Sequence, residues 1–217
     1  VDDFPKGIVA AGAAIHYLIE TQHDKINHIT ALSRIDQGQY VWLDKFTIRN
    51  LELLHTANPN AKTLIDVMDK TASPMGGRLL RRWMVLPLCN KEQIESRYDV
   101  VDFFVQNRDL IQKYQDIIRQ IGDLERLISK VSLAKVNPRE LLQVGRALEQ
   151  IEWLKNACET SGNESLRRFA DQLNLCVTIR ERIKKALNAE APALLSKGNY
   201  IANGVDAELD DLRSLSR

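Results

Sequence analysis

Three arginines at helical spacing form the most concentrated group of side chains able to bind an anion. Arg78, Arg81 and Arg82 stand at positions i, i+3 and i+4, so a helix would present them on one face. A guanidinium group binds a phosphate or a carboxylate through two parallel hydrogen bonds. The group therefore predicts either contacts with nucleic-acid phosphates or ion pairs with carboxylates on neighbouring helices.

A second basic group allows the same two interpretations. It consists of Arg180, Arg182, Lys184 and Lys185. The chain has 30 Lys and Arg residues against 29 Asp and Glu residues, a formal net charge of +1. Proteins that bind nucleic acid through bulk charge carry a clear basic excess. Solvated faces and ion pairs are therefore the simpler interpretation of both groups.

The sequence contains no recognisable catalytic, cofactor or metal motif. A phosphate-binding loop would need Gly-x4-Gly-Lys-Ser/Thr, and no glycine here precedes Lys-Ser or Lys-Thr. Gly76-Gly77 is followed by arginine and is better explained by close helix packing. His16 and His23 share a helix face, but about 10 Å of helical rise separates them, too far for one metal ion.

The remaining reactive side chains are interpreted structurally. Three cysteines without Cys-x-x-Cys spacing predict no zinc site or closed disulfide framework, and Cys158 and Cys176 lie on apolar helical faces. The carboxylate pairs Glu149/Glu152 and Asp210/Asp211 are typical of solvated helix faces. The residues alone therefore indicate a non-catalytic module.

Composition and periodicity predict a mostly α fold. The 217 residues include only 10 glycines and 6 prolines, which favours long helices and few hairpins. We expect an irregular multi-helix array or bundle with long helices, and at most one or two short strands near residues 40–43. No apolar run approaches the roughly 18 residues of a membrane span.

Helix starts are marked by capping residues. Ser73 precedes Pro74, Asn90 precedes a helix with Gln93 at its third position, and Asn137-Pro138 is followed by Glu140. The third start opens a long helix to about Glu159. Further helices are predicted over residues 7–25, 63–70, 164–174 and 176–188, and from Asp206 onward.

One buried stripe is predicted on the helix that Asn90 caps. Its members are Ile94, Tyr98, Val101 and either Phe104 or Val105. Trp83, between Pro74 and Pro87, is expected to be a large core side chain. Arg78 and Arg81 are expected to hold acceptors on neighbouring elements.

The stretch LIDVMDKTASPMGGRLLRRWMVLPL, residues 64–88, resembles the start of the core (lever) domain in the MutS family of DNA mismatch-repair proteins. RNLEL at 49–53, DLER at 123–126 and NPREL at 137–141 are similar to further family signatures in the same order. Ala11-Gly12-Ala13 resembles part of the last connector-domain helix. The structural signature that the resemblance implies consists of Arg49, Asp69, Pro74, Gly76, Arg78, Arg81, Arg82, Trp83 and Pro87.

The resemblance implies a fragment of a mismatch-recognition ATPase. Residues 1–30 would end the connector domain, and residues 31–217 would form the first half of the helical core, ending at the helix that leads to the DNA clamp. The fragment would couple the ATPase domain to the clamp, with no catalytic, cofactor-binding or metal residue of its own. A start at Val1 and a helical pattern still running at Arg217 favour a fragment.

The parent protein is expected to bind ATP and Mg, to contact mismatched duplex DNA through other domains, to form a homodimer and to meet a MutL-type partner. A bacterial cytoplasmic location, at nucleoid DNA and without a membrane partner, is also implied. Two alternatives stay open. The chain could be a stand-alone helical scaffold for protein–protein contacts, or a weak direct nucleic-acid binder through Arg78, Arg81 and Arg82.

Overall fold

The computed structural model describes residues 4–21, 29, 31–32, 37–58 and 60–215. The elements are helices α1 Pro5–Glu20, α2 Lys45–Asn50, α3 Leu64–Met68, α4 Pro74–Val85, α5 Lys91–Gln106, α6 Arg108–Ile121, α7 Leu124–Ser132, α8 Pro138–Glu159, α9 Glu164–Gln172, α10 Val177–Ala186 and α11 Ala207–Leu215, with 3-10 turns at Gln37–Gln39 and Leu195–Lys197. No sheet forms among the described residues, and the mostly α prediction is confirmed.

The predicted capping residues begin their helices. Ser73 Oγ accepts a hydrogen bond from the Gly76 amide at 3.2 Å, and Pro74 takes the first position of α4, where no amide is needed. The Asn90 side chain accepts from the Gln93 amide at 3.0 Å. At α8, Asn137 and Glu140 form a reciprocal capping box. These starts were predictable because a cap depends on residues within one turn.

The core is organised around α8, which packs against α6, α7, α9 and α10. Ala147 is fully buried and joins Ile117 and Ile121 of α6 in one apolar cluster. Val144 and Leu148 pack with Ile183 of α10 in a second cluster. Cys158 lies in a third cluster, which confirms its predicted core role. Because α8 contributes to all three clusters, it is the axis of the bundle.

The strand predicted at residues 40–43 is reduced to a single bridge. Tyr40 pairs antiparallel with Leu88, and the Val41 amide donates to the Pro87 carbonyl at 2.7 Å. The Cys89 amide donates to the Gln39 carbonyl at 2.9 Å. These bonds hold residues 39–41 against the loop after α4. A second isolated bridge joins Leu187 to Ile201.

The stripe predicted to be buried on α5 is wrong for Tyr98, Val101 and Val105, which are 67%, 58% and 54% exposed. Of the predicted residues, Ile94 is half-buried and Phe104 packs on the core. The other residues of α5 that pack there are Val100 and Phe103. Both faces of α5 are apolar, so helical periodicity alone did not determine which one the bundle covers.

The remaining helices differ from their predictions mainly in length. α1 ends at Glu20 and is followed by a turn at Thr21, and none of its residues is buried. Residues 22–25 of the predicted helix lie outside the described residues. Cys176 precedes α10 with φ of 46°, so the prediction that it sits on a helix face is wrong, although it packs on the α8–α10 cluster. None of the described helices combines the length and apolar character needed to cross a membrane.

Candidate functional site: the α4 arginines

Helix α4 begins close against a compact turn, where two glycines leave room for the approach. Asp69 accepts hydrogen bonds from the Thr71 hydroxyl at 2.6 Å and the Thr71 amide at 3.1 Å. A Cβ atom on Gly76 would lie 3.3 Å from the Thr71 Cβ, and one on Gly77 would lie 3.3 Å from the Thr71 Oγ1. The packing interpretation of this glycine pair is therefore confirmed.

Hydrogen bonding at this turn keeps the Asp69 carboxylate charged. The bonds from the Thr71 side chain, and then its amide, lower the pKa of Asp69 below the ordinary value, and the charge of Arg81 lowers it further. The same arginine also lowers the pKa of Asp66, after the larger effect of Thr63. Arg81 is exposed and acts on these carboxylates through its charge.

Arg78 joins α4 to the start of α7. Its Nη1 and Nη2 donate to the two carboxylate oxygens of Asp123 at 3.0 and 2.7 Å. Its Nε and Nη2 donate to Glu125 Oε2 at 3.0 and 2.5 Å. We call Arg78, Asp123 and Glu125 the ionic bracket. It confirms that Arg78 holds carboxylates of a neighbouring helix.

The electrostatics of the ionic bracket follow from these bonds. Hydrogen bonds to Asp123, and then to Glu125, raise the pKa of Arg78 above its ordinary value. The bond from Arg78 is the largest cause that lowers the pKa of Asp123. Asp123 also caps α7 by accepting the Arg126 amide at 3.3 Å. One carboxylate thus serves both the helix start and the contact between helices.

A thioether contact lies beside the ionic bracket. The Met75 side chain packs on the apolar cluster of Ala147, Ile117 and Ile121. Its sulfur also lies 3.4 Å from the Glu125 amide nitrogen, which donates to it. α4 is therefore fastened to the bundle by one apolar and one ionic contact, one turn of helix apart.

Trp83 occupies a different environment from the one predicted. Its side chain is 39% exposed, so the expected core position is wrong. The Arg97 guanidinium lies 3.6 Å above the ring centroid, a cation–π stack between α4 and α5. Burial lowers the pKa of Arg97. Sequence spacing did not reveal this pair, although the thirteen residues between Trp83 and Arg97 include Pro87, where the chain turns between the two helices.

The other signature residues are distributed around α4. Pro87 accepts the Val41 amide and lines a small cleft with Trp83 and Arg97. Arg82 is exposed, and its side chain has no hydrogen bond or ion pair within the described part of the chain. Arg49 is exposed on α2, where its carbonyl accepts the Glu52 amide at 3.0 Å. The described contacts do not bring Arg49 to the ionic bracket.

The second basic group is partly neutralised by α8. Arg180 donates to Glu152 at 2.5 Å and lies 3.5 Å from Glu181, and only 14% of its side chain is exposed. The hydrogen bond to Glu152 is the main cause that raises the pKa of Arg180. This arginine is thus an interhelix contact, as the ion-pair interpretation predicts.

The residues at the start of α4 do not fit a nucleotide phosphate. Ser73 already accepts the Gly76 amide through its side chain and the Gly77 amide through its carbonyl. Both arginines nearest to this turn interact with carboxylates. His16 lies 3.3 Å from Glu20, whereas His23 falls outside the described residues. No cluster of metal-ligating side chains occurs in the ranges that the structure describes.

The contribution of the ionic bracket to stability should be present at neutral pH and lost in acid. The folded-state pKa of Asp123 is lowered, so its contribution to stability is present above the ordinary carboxyl value and is lost as pH falls below it. We expect Arg78→Met to lower stability at neutral pH, and this difference from wild type should shrink between about pH 5 and about pH 2. Urea unfolding at a series of pH values measures it.

Arg82→Met is the matched control for this titration, because Arg82 lies on the same helix without a side-chain partner in the described structure. Asp66, Asp69 and Glu140 also have lowered pKa values, but they titrate in every variant and cancel in the comparison. A difference between Arg78→Met and wild type that stayed constant with pH would refute the ionic role.

Residues 46–216 match the family model described as MutS domain III. The chain is 50% identical over 216 residues to the DNA mismatch repair protein MutS of Flavobacterium psychrophilum, a match that covers all of this chain and 25% of that protein. The corresponding proteins of Bacteroides fragilis and Cytophaga hutchinsonii are 48% and 42% identical over 216 residues. Each match covers all of this chain and 25% of the relative. The chain thus spans about a quarter of the length of these relatives.

Proposed function

Because this chain belongs to the MutS family of DNA mismatch-repair proteins, with domain III over residues 46–216, we propose that it is the mechanical coupling element of a mismatch-recognition ATPase. It would transmit displacement between an ATPase domain and a DNA clamp elsewhere in a longer protein. The segment itself would carry no chemistry. The observation that carries the proposal is the ionic bracket, which fastens α4 to the helical bundle.

The packing of the bundle supports a role in transmission. α8 has 22 residues and is therefore about 33 Å long. It contacts four other helices through three apolar clusters, so its neighbours are held in register along its length. Interiors packed in this way move as units because they resist continuous deformation.

The same proposal extends to the rest of the longer protein. ATP and Mg would bind in another domain, since the start of α4 does not fit nucleotide phosphate. Mismatched duplex DNA would be held by other domains, and the protein would act as a homodimer with a MutL-type partner, at nucleoid DNA in the bacterial cytoplasm. Residues 1–30 would end a connector domain, and residues 31–217 would form the first half of the core.

Direct DNA binding by the arginines of α4 receives less support. Arg78 is occupied by two carboxylates, whereas Arg81 and Arg82 are exposed and make no side-chain hydrogen bond or ion pair in the described part of the chain. Two exposed arginines are a weak basis for phosphate affinity. The scaffold alternative is retained as an outcome of the following test.

The coupling proposal is tested in the longer protein with Arg78→Met and Arg82→Met as a matched pair. Breaking the ionic bracket should reduce the stimulation of ATP hydrolysis by mismatched duplex severalfold, whereas the Arg82 variant should match wild type. Steady-state phosphate release with matched and mismatched duplex measures the effect, and circular dichroism confirms folding.

If Arg78→Met folds and retains full mismatch stimulation, α4 does not take part in coupling. The scaffold alternative would then be the better account of this chain. Loss of stimulation in both variants would instead indicate that the surface of α4 binds DNA or a partner directly, which would also refute the coupling role of the bracket.

A further inference from the structure

Asn203 is the only asparagine in the chain that precedes a glycine. The dipeptide Asn203-Gly204 lies in an exposed turn between the bridge residue Ile201 and helix α11. Gly204 has φ of 78°, a conformation that other residues rarely adopt. An exposed asparagine followed by a residue without a side chain is chemically labile, because nothing shields its carboxamide from the next backbone nitrogen.

Two side chains of α11 reach back and hold this turn. The Gly204 amide donates to Asp210 Oδ2 at 2.6 Å. Arg213 Nη1 donates to Asn203 Oδ1 and to Asp210 Oδ1, each at 3.1 Å, and its Nη2 donates to the Ile201 carbonyl at 3.0 Å. We call Asp210 and Arg213 the α11 clasp. It binds both reacting groups of the dipeptide, the side-chain carboxamide and the backbone nitrogen.

We propose that Asn203-Gly204 is a site of spontaneous deamidation whose rate is set by whether the α11 clasp is closed. The Gly204 nitrogen attacks the Asn203 side-chain carbonyl carbon, forming a carbon–nitrogen bond. The bond to the side-chain nitrogen then breaks, and ammonia leaves with the amide proton. Water opens the resulting succinimide at either carbonyl, giving aspartate or isoaspartate. Asparagine plus water is thus converted to a carboxylate plus ammonia.

The closed clasp should slow the first step. The attacking nitrogen must lose its proton and turn toward the Asn203 side chain, but the hydrogen bond to Asp210 fixes that peptide unit. The carboxamide must fold over its own backbone, but Arg213 ties its oxygen to α11. Detachment of α11 frees both groups at once. The extent of deamidation therefore records how often α11 leaves the turn.

The two products differ in what they do to α11. An aspartate at position 203 places a second carboxylate beside the Arg213 guanidinium and keeps the chain length. Isoaspartate adds one methylene to the backbone of the turn, four residues before α11 begins at Ala207, which shifts the start of the helix relative to Ile201. The chemistry is independent of the coupling role proposed above.

The experiment follows one tryptic peptide. The folded 217-residue chain is incubated at mildly alkaline pH in water enriched in oxygen-18, then digested in ordinary water. Cleavage after Lys197 and Arg213 releases residues 198–213 as a single peptide, and in Arg213→Met the corresponding peptide spans residues 198–217. Product formed during incubation carries oxygen-18, so mass spectrometry separates it from product formed during digestion. A synthetic peptide of the same residues gives the rate without the clasp.

We expect wild type to deamidate at least about fivefold more slowly than the synthetic peptide, the factor that one hydrogen bond of ordinary strength represents. Asp210→Ala and Arg213→Met should each raise the rate toward that of the peptide. Asp211→Ala is the matched control, because Asp211 is the adjacent exposed carboxylate and its side chain makes none of the described contacts with the turn.

Equal rates for the folded chain and the peptide would overturn the proposal. So would slower deamidation in Asp210→Ala, since that result would identify the Asp210 carboxylate as a base that assists the attack. If either variant fails to fold, by circular dichroism, the comparison between wild type and peptide decides the question alone.

Discussion

Replacing Tyr114 with alanine is expected to lower the free energy of unfolding by about 3–5 kcal/mol, the usual cost of emptying a large aromatic site. The side chain is 7% exposed and packs in the cluster of Cys158, Leu166 and Ala170. Its ring meets that of Phe104 edge to face, with centroids 4.9 Å apart. Few neighbours can collapse into the cavity, because the contacting side chains come from several helices.

A second substitution separates packing from hydrogen bonding at the same site. The Tyr114 hydroxyl donates to the Ala157 carbonyl at 2.8 Å, and burial raises the pKa of Tyr114 to about 12. Tyr114→Phe keeps the ring and loses this bond, so we expect a cost of about 1–2 kcal/mol. Urea unfolding of the two variants gives the two contributions.

Tyr98→Ala is the control on α5, where the same residue type is 67% exposed. We expect its effect to stay within about 0.5 kcal/mol. If Tyr98→Ala destabilised the chain as much as Tyr114→Ala, the assignment of the buried and exposed faces would be reversed. The pattern of the sequence, which predicts burial of Tyr98, would then be right after all.

The contrast between Tyr114 and Tyr98 shows which features of the fold could be predicted from the sequence. Helix starts at Ser73, Asn90 and Asn137 were predictable because each cap forms within one turn. The orientation of α5 was not, since Val100 and Phe103 compete with Tyr98 for the core and only the neighbouring helices decide. Local rules identify a helix, and tertiary packing selects its buried face.

The ionic bracket was predictable in part for a related reason. Arg78 could be identified as a residue that binds carboxylates from its spacing on α4 and from the fork geometry of its guanidinium. Its acceptors lie 45 and 47 residues further along the chain, and no short-range rule connects them. Asp123 and Glu125 do occur in the DLER motif at 123–126, so the motif was recognised while its pairing was not.

Trp83 illustrates the opposite error. Its size suggested a core side chain, and on that basis Trp83→Ala would have carried the full penalty of an emptied core site. Trp83 is instead 39% exposed and stacks on Arg97. Trp83→Ala would therefore remove mainly a cation–π contact and a partly buried ring. Large aromatic residues are often highly buried but rarely completely so, and size alone does not distinguish the two cases.

Replacing Ala147 with leucine is expected to destabilise the chain by about 1–3 kcal/mol, because the added carbons enter a site that is already filled. Ala147 has 0% exposure between Ile117, Ile121 and Met75. Gln143→Leu, one turn earlier on α8 and exposed, adds an apolar side chain without overpacking and should remain close to wild type. Urea unfolding of both variants measures the difference.

The larger side chain should also displace Met75, and with it the neighbouring ionic bracket. We therefore expect the double variant Ala147→Leu/Arg78→Met to lose less stability than the sum of the two single variants. Strict additivity would mean that the apolar and ionic contacts of α4 act independently. In that case α4 could loosen at one contact while remaining fixed at the other, and it would not move with the bundle as one body. Non-additivity is the result that a coupling element requires, because a displacement entering at α4 reaches α8 only if both contacts hold together.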